Sequence, residues 1–170
     1  PRLINLLVTG NQTKTTAAGF GAGGGIYVGA GCSPTNINCT IADNRAQYGG
    51  GIANYGNPNL RNMIIWNNSA VAATNASIFK GTNTLTITYS CVQGGYSPVI
   101  PVYVVITNNP LFVGSGNYRL ASTNSPCYNT GTSAQAPTND LDGDLRPVAG
   151  KFDMGCYEFF VFDGGGGGGG

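Results

Sequence analysis

At 170 residues the chain is long enough for one domain with a buried core. Only 9% of its residues are charged and the net charge is +1, so it has neither the basic patch that a nucleic acid or an anionic membrane surface demands nor an apolar run long enough to span a bilayer. Five cysteines in an Asn-, Thr- and Gly-rich chain point to an oxidising compartment, and the odd count leaves at least one thiol unpaired within the chain.

In chain order, four segments repeat one pattern: NLLVTGN from Asn5, NCTIADN from Asn38, NMIIWNN from Asn62 and a weaker YSCVQGG from Tyr89. The steps from 5 to 38, 38 to 62 and 62 to 89 are 33, 24 and 27 residues. Side chains alternate along a strand, so the second positions (Leu6, Cys39, Met63, Ser90) and the fourth (Val8, Ile41, Ile65, Val92) share one face. Gly, Asn, Thr and β-branched residues break helices and suit strands and turns. A repeat of about 24 residues with short strands and tight turns therefore predicts an all-β fold, a right-handed parallel β-helix whose coils stack about 4.8 Å apart. Gly23–Gly25 and Gly49–Gly51 are expected to supply positive φ at a recurring corner. Three residues after each fourth position come Asn11, Asn44 and Asn68, which are expected to bond from coil to coil as a ladder, with Gly95 in the weak copy.

GGGI alternating with Val/Ile-x-x-Asn resembles the repeat of bacterial surface β-helix proteins, polymorphic outer-membrane proteins among them, although Val8, Ile41 and Ile65 stand where that repeat carries an aromatic. NNPLFVGSGNYRLASTNSPCYNTG, followed by NDLDGDLRP and FDMGCYEF, resembles the terminal module of choice-of-anchor-type secreted β-helix proteins. The resemblance implies a secreted protein of a Gram-negative cell surface. It divides the chain into coils over 1–107, a C-terminal capping module over 108–159 and a tail over 160–170. It also places the Cys127 and Cys156 segments close together, which implies a disulfide between them. The other reading of these residues is two buried thiols. Cys32 and Cys39 are near enough in sequence for a second bridge, though Cys39 also suits the core, and Cys91 has no obvious partner.

Within the C-terminal part, Leu111, Phe112, Val113, Tyr118 and Leu120 predict a hairpin around Gly114–Gly116, which is expected to fold over the open end of the coils. Asp140, Asp142 and Asp144 alternate around Gly143. They suit either a Ca²⁺ ion, which favours oxygen ligands in a tight loop, or a solvated turn paired to Arg146 or Lys151. No other cofactor is indicated. In FFVFD, Phe159 and Val161 fall on one face and Phe160 and Phe162 on the other, an apolar strand suited to head-to-tail assembly with another copy. Gly164–Gly170 read as a flexible linker, or as glycine standing for residues of unestablished identity.

The parallel β-helix is also the fold of pectate lyases and polygalacturonases. There is no histidine, however, and Asp43 is the one acidic residue between Pro1 and Asn139. Glycoside hydrolysis usually needs two carboxylates flanking the bond. The expectation is a non-enzymatic structural or adhesive module that self-assembles. The alternative is carbohydrate binding on exposed aromatics, Tyr55 and Trp66 foremost, with Tyr27, Tyr48 and Tyr96 as further stacking surfaces. The sequons at Asn11, Asn38, Asn67 and Asn75 follow from composition and are read as structural.

Overall fold

A computed structural model describes residues 1–14, 21–71, 76–81, 83–96, 104–148 and 150–160. The described residues contain strands and turns and no helix. A first pass of the chain forms β1 (Arg2–Ile4), β2 (Leu7–Thr9) and β3 (Ile26–Val28). A second forms β4 (Thr35–Ile37), β5 (Thr40–Ala42), β6 (Arg45–Ala46) and β7 (Ile52–Asn54). A third forms β8 (Asn59–Arg61), β9 (Ile64–Trp66), β10 (Ser69–Ala70) and β11 (Ile78–Lys80), and a fourth β12 (Thr86–Thr88) and β13 (Ser90–Val92). Then come β14 (Val105–Ile106), β15 (Phe112–Gly114) and β16 (Asn117–Leu120).

Each pass lays its strands on those of the pass before. The sheets run β1-β4-β8-β12, β2-β5-β9-β13-β14, β3-β7-β11 and β6-β10, all parallel; β15 and β16 form a separate antiparallel hairpin. Register follows the repeat: Val8, Ile41, Ile65 and Val92 stand in one column, and Ile26, Ile52 and Ile78 in another. These side chains, with Leu60, Met63 and Ile87, meet in one core shared by the three larger sheets.

Three kinds of corner turn the chain, and each has a stereochemical cause. Asn5, Asn38, Asn62 and Tyr89 are left-handed (φ 47° to 53°), as are Gly10, Asp43, Asn67 and Gly94 (φ 53° to 78°). Asn and Asp tolerate this region because their short polar side chains bond locally. At the glycine triplets the expectation of positive φ throughout is corrected: only Gly23 and Gly49 are left-handed. The glycines after them are needed for room, since a Cβ on Gly24 would lie 2.4 Å from the Gly50 carbonyl oxygen, and one on Gly50 2.2 Å from that of Ser69. No side chain fits where backbones approach so closely.

The C-terminal segment is also corrected. It does not close the end of the stack but lies along its side, because the outer face of the five-stranded sheet is itself apolar. Ile64, Cys91 and Ile106 point outward from β9, β13 and β14 and are covered by Leu120, Cys127, Met154 and Phe159. The first three passes supply polar anchors for this layer. Asn5 Nδ2 donates to the Asn139 carbonyl at 2.6 Å, Asn38 Nδ2 to Asp153 and Gly155 carbonyls at 3.2 and 3.3 Å, and Asn62 Nδ2 to that of Thr132 at 2.8 Å. Within the layer, Arg146 and Glu158 form a fully buried ion pair at 2.9 Å, and Arg146 also donates to the Gly155 carbonyl at 2.9 Å.

Candidate functional site

A cleft of about 490 Å³ opens between the five-stranded sheet and the β15–β16 hairpin. Ala42, the last residue of β5, stands in register with Trp66, the last of β9, so a small side chain leaves space beside the indole. The next residues, Asp43 and Asn67, occupy stacked left-handed corners that turn their side chains together. Asn67 Nδ2 donates a hydrogen bond to Asp43 Oδ1, and the Tyr118 hydroxyl, brought in by the hairpin, donates to Asp43 Oδ2 at 2.6 Å. Phe112 packs edge-on to Tyr118 at 5.4 Å and fixes its ring. Burial, and then the hydrogen bond to the Asp43 carboxylate and its charge, raise the Tyr118 hydroxyl above its ordinary range. The result is a half-buried indole beside a carboxylate, an amide and a phenol, an apolar wall with a few converging polar groups.

Of the two aromatics expected to stack on sugars, Trp66 lines this cleft and Tyr55 does not. Tyr55 lies between Tyr27 and Phe79 in a separate run of rings, with centroids 5.5 and 5.7 Å away and Tyr48 continuing from Phe79 at 5.3 Å. The rings are tilted by 39° to 55° rather than coplanar, and only Tyr27, at 58%, is largely exposed. Tyr96 packs against the core, and burial raises its hydroxyl.

The structure brings Asn11, Asn44 and Asn68 together. Asn11 Nδ2 donates to Asn44 Oδ1 at 3.0 Å, and Asn44 Nδ2 to Asn68 Oδ1 at 3.0 Å. Of the sequon asparagines, Asn11 sits in this ladder, Asn38 is buried, Asn67 holds Asp43, and Asn75 lies outside the described residues.

Asp140, Asp142 and Asp144 each offer a carboxylate oxygen within 4.8 Å of the others. Their loop is nevertheless organised by its own bonds. Asp140 is buried; its Oδ1 accepts the amides of Asp142 and Asp144, and its Oδ2 that of Glu158 at 2.9 Å. Asp142 pairs with Arg119, whose guanidinium also stacks 4.2 Å over Tyr157. The expected partners are therefore corrected: Arg146 is committed to Glu158, and Arg119 supplies the cation. Among the described residues these three could hold a hard cation, with Asp142 having to leave Arg119.

All five cysteines are free thiols, which corrects the Cys127–Cys156 and Cys32–Cys39 pairings. The Cys156 amide donates to Thr40 Oγ1 at 3.1 Å on the second pass, whereas Cys127 shares one buried cluster with Cys91 of the fourth. Thr40 and Cys91 stand in one column with Ile64 between them, two strand spacings apart. Cys32 is exposed and Cys39 faces the core, where burial pushes its thiol up to about 11.

The assembly strand is corrected in part. Phe159 belongs to this chain's own lateral layer: it packs edge-on to Tyr128 at 5.7 Å, and its amide donates to Asp153 Oδ2 at 2.7 Å. Phe160 is half-buried, and Val161, Phe162 and the seven glycines lie outside the described residues.

The pairing of Asp43 with Tyr118, 75 residues apart, left no signal in the sequence. The docking role of Asn5, Asn38 and Asn62 did: an asparagine opens three of the four repeats. Among the described residues no helix is long and apolar enough to cross a membrane. Comparison with protein-family models, with curated proteins and with solved structures finds no match to the chain.

Proposed function

We propose that the stacked passes form a right-handed parallel β-helix, and that this is a non-catalytic, extracellular adhesive module that takes a saccharide in the Trp66 cleft. The carrying observation is that Trp66 shares one cleft with Asp43, Asn67 and Tyr118. An indole face stacks on the apolar face of a sugar ring, and a carboxylate and an amide bond its hydroxyls, so this set suits a neutral saccharide. The volume falls in the range of small-molecule sites. Binding is favoured over catalysis because Asp43 is the one carboxylate among the lining residues, and both its oxygens already accept hydrogen bonds. Affinity electrophoresis in gels holding pectin, alginate, chitin or peptidoglycan tests the reading. Retardation in one of these gels, lost in Trp66→Ala and kept in Tyr55→Ala, is expected. No retardation in any gel, or equal retardation of the Trp66 variant, would sink it; product release from pectin or alginate, with or without Ca²⁺, would overturn the non-catalytic part.

Head-to-tail assembly is a second reading, supported by one observation. Among the described residues, strands β1, β2 and β3 each pair on one side only, an arrangement that strand addition could extend. Negative-stain microscopy separates the readings: filaments with a regular axial repeat support assembly, and discrete monomers refute it.

A further inference from the structure

The asparagine ladder ends where the chain turns away from the stack. In its first two rungs the donors of one asparagine converge on one oxygen of the next. The backbone amide and Nδ2 of Asn11 both reach Asn44 Oδ1 at 3.0 Å, and those of Asn44 both reach Asn68 Oδ1 at 3.0 Å. Ile65 is in register with Val92, so Gly95 follows Asn68 in the repeat and has no side-chain oxygen to offer. Gly94 and Gly95 are both left-handed (φ 78° and 74°), and the Gly95 amide donates back to the Val92 carbonyl at 2.9 Å. Asn68 Nδ2 gives one hydrogen to the Ile41 carbonyl at 2.8 Å. Its other hydrogen and the Asn68 backbone amide meet no acceptor among the described residues, although the residue is only 6% exposed. Asn68 lines a cavity of about 280 Å³ together with Ser77, Ile78, Gln93 and Gly95, and the geometry of the first two rungs aims its donors at the Gly95 side.

We propose that this cavity takes a neutral amide carbonyl, the acetamido group of an N-acetylated amino sugar. The ladder sets the chemistry: one carboxamide oxygen accepts two N–H groups at each rung, and an acetamido oxygen is the same kind of acceptor. No cation is among the described lining residues, so a carboxylate would be desolvated there without a partner, which favours an uncharged group. Ala76 and Ile78 give the wall an apolar part against which a methyl group packs. The facing polar groups are already engaged. Ser77 Oγ donates to the Gln93 carbonyl at 3.0 Å and the Asn67 amide to Gln93 Oε1 at 2.6 Å, which leaves Asn68 to supply the donors. Asn67 lines both this cavity and the Trp66 cleft, so the two sites adjoin. The sugar that carries the group rests on the saccharide reading of that cleft, whose substrate class narrows to N-acetylated units.

Nitrogen–proton correlation spectra of the full chain, titrated with N-acetylglucosamine, glucose and acetate, test this. N-acetylglucosamine is expected to shift the Asn68 backbone and Nδ2 resonances saturably and to bind about tenfold more tightly than glucose, the preference that one or two net hydrogen bonds supply. Glucose and acetate should leave Asn68 unmoved. Gly95→Asn places a carboxamide beside Asn68 in a left-handed conformation that asparagine tolerates, with Thr107 Cγ2, 3.4 Å away, the one described atom near its Cβ. It should abolish the Asn68 response while the Trp66 indole N–H still responds to glucose. Asn68 resonances unmoved by N-acetylglucosamine in the wild type, or moved equally by acetate, overturn the proposal. A Gly95→Asn protein whose Asn68 response equals that of wild type refutes the placement at the end of the ladder. A Trp66 indole that shifts with both sugars while Asn68 stays still sinks the acetamido site and leaves the saccharide reading standing. A Trp66 indole unmoved by either sugar sinks the cleft reading, and the Asn68 response alone then decides the acetamido site.

Discussion

Two asparagines, each fully buried in the stack, should respond to the same substitution with opposite signs. Asn44 is the centre of the ladder. Its Nδ2 donates to the Val8 and Ala42 carbonyls at 2.8 and 3.0 Å and to Asn68 Oδ1 at 3.0 Å, while its Oδ1 accepts the amide and Nδ2 of Asn11, both at 3.0 Å. Two hydrogens serve three acceptors, so the side chain supplies about four effective bonds at about 1 kcal/mol each. Leucine would forfeit these and return about 1–2 kcal/mol of apolar burial, for a net loss of about 3 kcal/mol. Asn36 is equally buried, but neither of its side-chain amide atoms has a partner among the described residues. Its column neighbours are Leu3, Leu60 and Ile87, and all of them are apolar. Leucine there removes an unsatisfied buried amide and should stabilise by about 1–3 kcal/mol. Urea unfolding reads both: with a slope of about 2 kcal/mol/M, the midpoint of Asn44→Leu falls by about 1.5 M and that of Asn36→Leu rises by about 1 M. An Asn44→Leu midpoint equal to wild type, or a fall for Asn36→Leu at unchanged slope, would refute the claim that bond partners rather than burial decide the sign.

Two further outcomes follow from the same geometry. Burial pushes the Asp153 carboxyl up to about 7, against the amides of Asn129 and Phe159 that bond it and with the neighbouring Glu158 charge adding to the rise. The native state thus holds a proton that the unfolded chain releases near pH 4, so stability falls as pH rises from about 4 to about 7, by at most about 1.4 kcal/mol per unit. Thermal melts at pH 5 and pH 8 should show the higher Tm at pH 5, and Asp153→Asn should flatten the profile; a wild-type profile that rises with pH contradicts this. At the corners, Gly50→Ala drives a Cβ into the Ser69 carbonyl and should cost about 3 kcal/mol, whereas Gly10→Ala, left-handed but with open space around it, should cost about 1 kcal/mol. Equal losses would show that backbone conformation rather than room governs both sites.

The passes themselves were legible in the sequence because stacking is a local, repetitive constraint. Each pass must present the same apolar column and the same corner, so Val8, Ile41, Ile65 and Val92 recur with register visible as spacing. The Asn11–Asn44–Asn68 ladder was visible for the same reason, since a bond from pass to pass needs one residue type at one place in each. What only the tertiary structure decided lies outside the repeat. Residues 111–159 carry no periodicity that states where they dock, and the outward column of Ile64, Cys91 and Ile106 takes them on the side of the stack instead of its end. That placement puts Cys127 in one buried cluster with Cys91, packs Phe159 against the same cluster, and brings Tyr118 across 75 residues to Asp43. Such contacts depend on which apolar surface remains uncovered once the passes have stacked, and that surface exists only in the folded molecule.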